Sequence, residues 1–243
     1  MIKQIMRKAA YLIAPQLAAD IGTHLWLSKQ AKLLRQKCNN SQTLEGVVDE
    51  IFSFSSFPIL QKKSEILQLL KLVKAIEPKY ICEIGGAYGG TLLPFAHAAA
   101  PDAKILSIDI HYSPAQRFAY RYFSRFKQRI NCMTADSHSN KTLQKVRNWL
   151  AGHKLDFLFI DGDHSMRGVS SDYQMYAPLV RHGGIIGFHD IVPDFKTRFG
   201  VATKNDVGQV PAFWTDLKKQ IPDVIEIIDD SNQDGYGIGI IKK

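Results

Sequence analysis

Residues 81–91 read I-C-E-I-G-G-A-Y-G-G-T. An apolar run of strand character over 80–84 breaks into glycines, and a helical pattern over 91–100 follows. Pro94 falls in the first turn of that helix, where a missing N–H costs least. Glycines between a strand and a helix let the backbone approach a ligand closely. The spacing fits the dinucleotide pattern G-x-G-x-x-G only in part. Taken alone, the stretch reads equally as a binding loop or a tight turn.

The same alternation continues outward. Before it, a helical pattern opens near Ser64, a residue suited to capping, and stops at Pro78. After it, strands are expected over 104–110, 130–135, 157–160 and 184–188, with helices over 114–128, 141–151 and 170–179 between them. A helix over 211–220 precedes two last strands, 224–228 and 237–241, which lack a helix between them and so pair antiparallel. This is an α/β chain: a doubly wound, mostly parallel seven-stranded sheet with one antiparallel edge strand. Ligands of such sheets bind at the carboxyl ends of the strands. Here those ends carry Asp109, Asp136, Asp161 and the pair His189-Asp190.

The chain has 243 residues, of which 45% are hydrophobic, enough for one large domain with an appendage. Residues 1–57 read as an N-terminal helical extension, with S-F-S-S-F-P at 53–58 as the boundary to the domain over 58–243. Three widely spaced cysteines, Cys38, Cys82 and Cys132, show no zinc or redox spacing, and a reducing, cytoplasmic setting is expected. The net charge of +8 is uneven: before Thr43 seven lysines and arginines face the single acid Asp20. Lys3, Arg7 and Lys8 precede an apolar segment at 9–19, but Pro15 and Gln16 interrupt it, against a secretion signal. A basic amphipathic helix at 2–14 suits peripheral contact with the inner face of a membrane, and packing on the domain or on a second copy suits it equally. A second basic block, Q-R-F-A-Y-R-Y-F-S-R-F-K-Q-R at 116–129, reads as an amphipathic helix with its aromatics inward. No N-P-P-Y/F motif accompanies the charge, so nucleic acid is not the expected partner.

Glu83, Asp109 and Asp136 around a glycine turn suit a nucleoside with a cationic end better than a dinucleotide, whose pyrophosphate Glu83 would repel. Ser137 beside Asp136 joins these candidate contacts. The E-I-G-G-A-Y-G-G stretch resembles motif I, E/D-x-G-x-G-x-G, of the class I S-adenosylmethionine-dependent methyltransferases, matching at Glu83, Gly85 and Gly89, with Ala87 at the middle glycine. Together with Q-K-K-S-E-I at 61–66, F-I-D-G-D-H-S, G-G-I-I-G-F-H-D and V-P-A-F-W, the chain is similar over 58–243 to the branch holding cephalosporin hydroxylase-like proteins and sugar O-methyltransferases. The resemblance implies S-adenosyl-L-methionine as cofactor and a small-molecule or glycan acceptor.

The stretch L-D-F-L-F-I-D-G-D-H-S at 155–165 runs an apolar strand into two carboxylates and a histidine. Neighbouring strands lie about 4.8 Å apart, so Asp161, Asp190 and His189 can converge on a divalent ion. Oxygen ligands favour Mg²⁺, the first expectation, while imidazole widens the choice towards Fe²⁺ or Zn²⁺. Asp163 or His164 is placed to act as base on an acceptor hydroxyl. The resemblance implies Asp161 and Asp190 as ligands and Asp163 as base; His189 stands where those relatives have an acid. Residues 191–210 read as a mobile loop over the site. Two alternatives stay open: a metal oxygenase, and a non-catalytic protein that has kept the fold. A second copy of the chain is also an expected partner.

Overall fold

A computed structural model describes residues 15–221 and 223–243. The helix expected at 2–14 lies outside them. The chain opens with helix α1 (Pro15–Asn39), followed by α2 (Leu44–Phe52) and α3 (Lys63–Ala75). Thr43 caps α2 by accepting the Gly46 N–H at 3.1 Å. Strand β1 (Tyr80–Ile84) then leads through the glycine turn into α4 (Leu92–Ala98). Next come β2 (Lys104–Asp109), α5 (Pro114–Ala119), a 3₁₀ turn (Tyr120–Phe123), β3 (Arg129–Thr134), α6 (Asn140–Leu150), β4 (Leu155–Ile160) and α7 (Met166–Tyr176). Strand β5 (Val180–His189), short α8 (Phe195–Phe199), α9 (Val210–Gln220), β6 (Val224–Ile227) and β7 (Ile238–Lys242) complete the chain.

The seven strands form one sheet in the order β3-β2-β1-β4-β5-β7-β6. The first five positions are parallel; β7 runs antiparallel to β5 and to β6. The reversed strand β7 lies one position in from the edge, which β6 occupies. Period-two alternation divides the sheet between two apolar layers. Ile81, Ile105, Phe157 and Phe159 pack with Leu34, Val48, Leu69 and Phe95 on one face. Cys82, Leu106, Leu158 and Ile160 pack with Val146, Val169 and Trp214 on the other. Between β1 and β4 the winding reverses, and this switch point is where the crevice of such a sheet opens.

Several boundaries differ from the sequence reading. The 114–128 helix stops at Ala119, and the chain turns back under Gln128, whose buried amide donates to the Ala96 and Ala100 carbonyls at 2.8 and 2.9 Å. Tyr120 and Phe123 point inward, but Phe118 and Phe126 remain exposed, so the aromatics divide between core and surface. Helix α7 begins at Met166 because Ser165 caps it, accepting the Gly168 N–H at 3.0 Å. Helix α3 starts one residue before Ser64, with Lys62 at its cap and no side-chain cap bond. The described part of the extension shares the domain's core: Ala31, Leu34, Cys38, Val48 and Phe57 belong to the apolar cluster that holds Ile81 and Ile105.

Candidate active site

Gly85 ends β1 with φ +85°, in the left-handed region that favours glycine. A Cβ there would lie 1.9 Å from the Asp161 carbonyl oxygen. The tips of β1 and β4 are therefore pressed together, and the chain beyond each diverges around a cavity of about 1090 Å³. That volume accommodates a nucleoside and a second small molecule side by side. Gly85, Asp109, Asp136, Ser137, Asp161, Asp163, His164, His189 and Asp190 all line it.

Two expected contacts do not. Glu83 is 1% exposed and lies beneath the glycine turn, where a Cβ on Gly86 would come within 2.8 Å of its Oε2. It accepts hydrogen bonds from Thr91 Oγ1 and, at 2.6 Å, from Ser107 Oγ. Burial pushes its carboxyl up to about 7 against the pull of those two hydroxyls. Glu83 thus braces the loop from below, because strand alternation turns its side chain into the layer that α4 covers. Gly89 also lies away from the cavity; a Cβ there would strike the Tyr120 ring at 2.5 Å, so its missing side chain serves packing.

One wall carries the acids suited to a nucleoside. Asp109 is held from two sides: its Oδ2 accepts the Ala87 N–H at 2.8 Å and its Oδ1 the His111 N–H at 2.7 Å. A carboxylate has lone pairs beyond these two, so the ends of β1 and β2 fix its orientation while leaving capacity for hydroxyls. Asp136 is exposed at the next strand tip, its Oδ1 accepting the His138 N–H at 2.9 Å. Behind it, His138 Nε2 stands 3.3 Å from Oδ1 of the wholly buried Asp172. Burial raises the Asp172 carboxyl to about 6, opposed by Ser137 and His138.

The opposite wall concentrates charge. Asp161 Oδ2 accepts a 2.6 Å hydrogen bond from Gln61 Nε2. Its Oδ1 faces His189 Nδ1 at 3.2 Å and His164 Nε2 at 3.6 Å. Asp190 Oδ2 stands 3.3 Å from His189 Nδ1 and 3.6 Å from His164 Nε2. Asp190 holds φ +62°, a left-handed conformation rare for a residue with a side chain and concentrated at functional sites. Burial pushes the Asp161 carboxyl up, but His189 and His164 outweigh it and hold it below the usual carboxylate range. Burial pulls His189 down, and the two carboxylates drive it above the usual imidazole range. The bond to Asp161 raises His164 likewise. The Asp161, His164 and Asp190 donor atoms lie within 4.8 Å of one another. Two carboxylates and an imidazole in that space fit a divalent ion.

Asp163 projects from the loop after β4 and is exposed, its Oδ1 accepting the Ser165 N–H at 2.8 Å. That bond holds its carboxyl below the usual range. Segment 191–210, expected to be a mobile loop, contains α8 and the first residue of α9 and is tied down by Asp234, whose carboxylate accepts from Phe195 N at 2.6 Å and Thr203 Oγ1 at 2.7 Å. Its Asn205 and Asp206, together with Leu60 and Tyr236, complete the cavity wall. Ala87 figured in the sequence only as the departure from the motif's middle glycine, and no site role was assigned from sequence to Gln61, His111 or Tyr236. Gln61 lies 100 residues from the carboxylate that it contacts, and no local pattern links the two.

The strand order, the glycine turn at the switch point and the acids around one hollow define a class I S-adenosylmethionine-dependent methyltransferase fold. Solved structures agree on the fold. An O-methyltransferase from Bacillus cereus in complex with SAH matches at TM-score 0.58 and 17% identity, over 84% of this chain and 92% of that one. A putative caffeoyl-CoA O-methyltransferase from Staphylococcus aureus matches at 0.57 and 20%, over 87% and 98%. A family model for rhamnosyl O-methyltransferase/CmcI matches residues 47–229, and the chain belongs to that family. The rhamnosyl O-methyltransferase of Mycobacterium leprae (strain TN) is 26% identical over 135 residues, 54% of this chain and 56% of that protein. The probable caffeoyl-CoA O-methyltransferase 3 of Dictyostelium discoideum is 28% identical over 123 residues, 50% of this chain and 47% of the relative. The chain thus spans about half the length of these two curated relatives.

Proposed function

We propose that this protein transfers a methyl group from S-adenosylmethionine to a hydroxyl of a sugar or another hydroxylated small molecule, assisted by a divalent cation. The observation that carries the reading is the single cavity at the β1–β4 switch point, with Asp109 and Asp136 on one wall and Asp161, His164 and Asp190 on the other. Bound cofactor supplies a methyl activated by its sulfonium, and a bound cation supplies positive charge against an ionising hydroxyl. Asp109 and Asp136 orient the nucleoside by accepting from its hydroxyls and amine. Asp161 and Asp190 hold the cation. Asp163, whose Oδ1 is engaged by Ser165, keeps Oδ2 to take the acceptor proton. Its carboxyl is held low, so it removes the proton only from a hydroxyl already acidified by the cation. Asn205, Asp206 and Tyr236 shape the acceptor side.

The described residues contain no helix long and apolar enough to cross a membrane. For localisation we infer peripheral contact with an anionic membrane surface through α1. Its outward face exposes Ile21, Leu25, Trp26 and Leu33, with Lys29 and Lys32 among them. Lysines amid apolar side chains can snorkel to headgroups, whereas a seam between two copies would bury like charges.

The test of the reaction is mass spectrometry of candidate glycans and hydroxylated metabolites incubated with the protein and S-adenosylmethionine bearing a deuterated methyl. A labelled O-methyl product, absent with Asp161→Asn/Asp190→Asn, is expected. A product that forms undiminished in chelator contradicts the cation's part.

A further inference from the structure

Resting on the cation-assisted reading above, we propose that His164 is a cation ligand and not the base, and that this imidazole makes the centre select a transition ion such as Mn²⁺ or Co²⁺ over Mg²⁺. Three independent features of the geometry support it. First, Nε2 of His164 is 3.6 Å from both Asp161 Oδ1 and Asp190 Oδ2. Ligand atoms sharing one ion at about 2.1 Å stand roughly 3.0–3.5 Å apart for octahedral or tetrahedral angles, so a small side-chain rotation closes the set. Second, His164 Nδ1 faces the Asp206 backbone carbonyl at hydrogen-bond distance. A carbonyl only accepts, so Nδ1 carries a proton, and Nε2, which faces the two carboxylates, is the nitrogen left to bind an ion once it gives up its own proton. Metal-bound histidines are oriented in this way.

Third, Asp161 is restricted to one free oxygen at the centre. Gln61, 4% exposed, occupies Asp161 Oδ2 and leaves Oδ1 for the ion. Asp190, at φ +62°, offers Oδ2. His189 is placed differently. Its Nδ1 stands 3.2 and 3.3 Å from the same two oxygens in a buried position, and its Nε2 has no partner. It acts as a buried donor that aligns the carboxylates, a role distinct from the ligand role expected from its place in the sequence. The resulting set is two oxygens and one nitrogen. Mg²⁺ prefers oxygen and dehydrates reluctantly, whereas imidazole suits the later divalent ions.

The experiment uses the full chain after chelator treatment, with Mn²⁺, Co²⁺ and Mg²⁺ chlorides as titrants in calorimetry and the visible spectrum of bound Co²⁺ as a second readout. Wild type is expected to bind Mn²⁺ at least tenfold tighter than Mg²⁺. His164→Gly should lower Mn²⁺ and Co²⁺ affinity tenfold or more, leave Mg²⁺ affinity within about threefold, and shift the Co²⁺ bands. Free imidazole should restore them. Unaltered S-adenosylmethionine affinity in the variant certifies its fold, and His164→Gln serves if the glycine variant fails that check. An unchanged Co²⁺ spectrum and Mn²⁺ affinity in both variants overturns the assignment. Absence of any divalent binding to wild type overturns the assignment and the cation's part in the reaction together. Selective Mn²⁺ binding without methyl transfer leaves the assignment standing and removes only the reaction.

Discussion

The Glu83 carboxyl is buried under the turn that the sequence motif makes its most visible feature, and its titration has a direct consequence for stability. The folded value is raised from 4.5 to about 7 by burial. Between those two pH values the unfolded chain loses a proton that the folded chain keeps, so stability falls as pH rises through the window. The full effect is on the order of 3 kcal/mol. Glu83→Gln should flatten this part of the profile and raise the unfolding midpoint above wild type at pH 8; a variant that follows the wild-type profile would show that the carboxyl is ionised in the fold. Gln61→Leu should loosen Asp161 and weaken Mn²⁺ binding by tenfold or more, because removing a hydrogen bond to a buried charge costs about 1.5–3 kcal/mol; calorimetry measures it. At this scale the sequence showed which residues gather at the strand ends, since each candidate in the 161–164 and 189–190 stretches lines the cavity. It did not show which way they point. Glu83 and Gly89 match the motif as letters, but strand alternation and the Tyr120 ring take them away from the hollow. The role of Gln61 was not legible because its partner is distant in the chain.

Elements were legible where apolar periodicity and a punctuating residue agreed. Strand β1 ends where the glycines begin, and α9 spans the expected 211–220 with one residue more. They were misread where a side chain reached across the fold. Gln128 anchors the end of the basic segment by bonding to the Ala96 and Ala100 carbonyls, and Ser165 starts α7 four residues before the expected position 170. Helix α1 packs into the common core. Its Leu34 is 1% exposed within the common core, so Leu34→Ala should destabilise by about 2–5 kcal/mol, read as a denaturant midpoint shift with unchanged slope. Removal of residues 1–40 should then abolish cooperative unfolding; a truncated chain that melts like wild type would make the helix an appendage. The opposite face of α1 carries the membrane proposal. Lys29→Glu/Lys32→Glu should reduce co-sedimentation with phosphatidylglycerol vesicles at least fivefold while leaving phosphatidylcholine vesicles unbound, as expected when each basic residue contributes about 1 kcal/mol near an anionic surface. Equal recovery of both proteins with the vesicles would contradict it, and a concentration-dependent dimer in sedimentation velocity would assign the face to a second copy.

For the whole molecule, strand–helix alternation was enough to read a doubly wound sheet, because burial on both faces demands long apolar runs and crossover helices. The strand order was not in that pattern. It depends on which strand edges meet, and β7 entering between β5 and β6 follows from contacts far apart in the chain. That order brings the β1 and β4 tips together at the Gly85–Asp161 contact, and hence places a nucleoside wall beside a cation wall. The most direct test of this arrangement is calorimetric titration of S-adenosylmethionine into wild type, Asp109→Ala and Asp161→Asn/Asp190→Asn. The account predicts that wild type binds, that Asp109→Ala binds at least tenfold more weakly, and that the double variant stays within about threefold of wild type, since hydrogen bonds to a charged group are worth roughly 1.5–3 kcal/mol. Wild type that does not bind, or Asp109→Ala that binds as well as wild type, would contradict it.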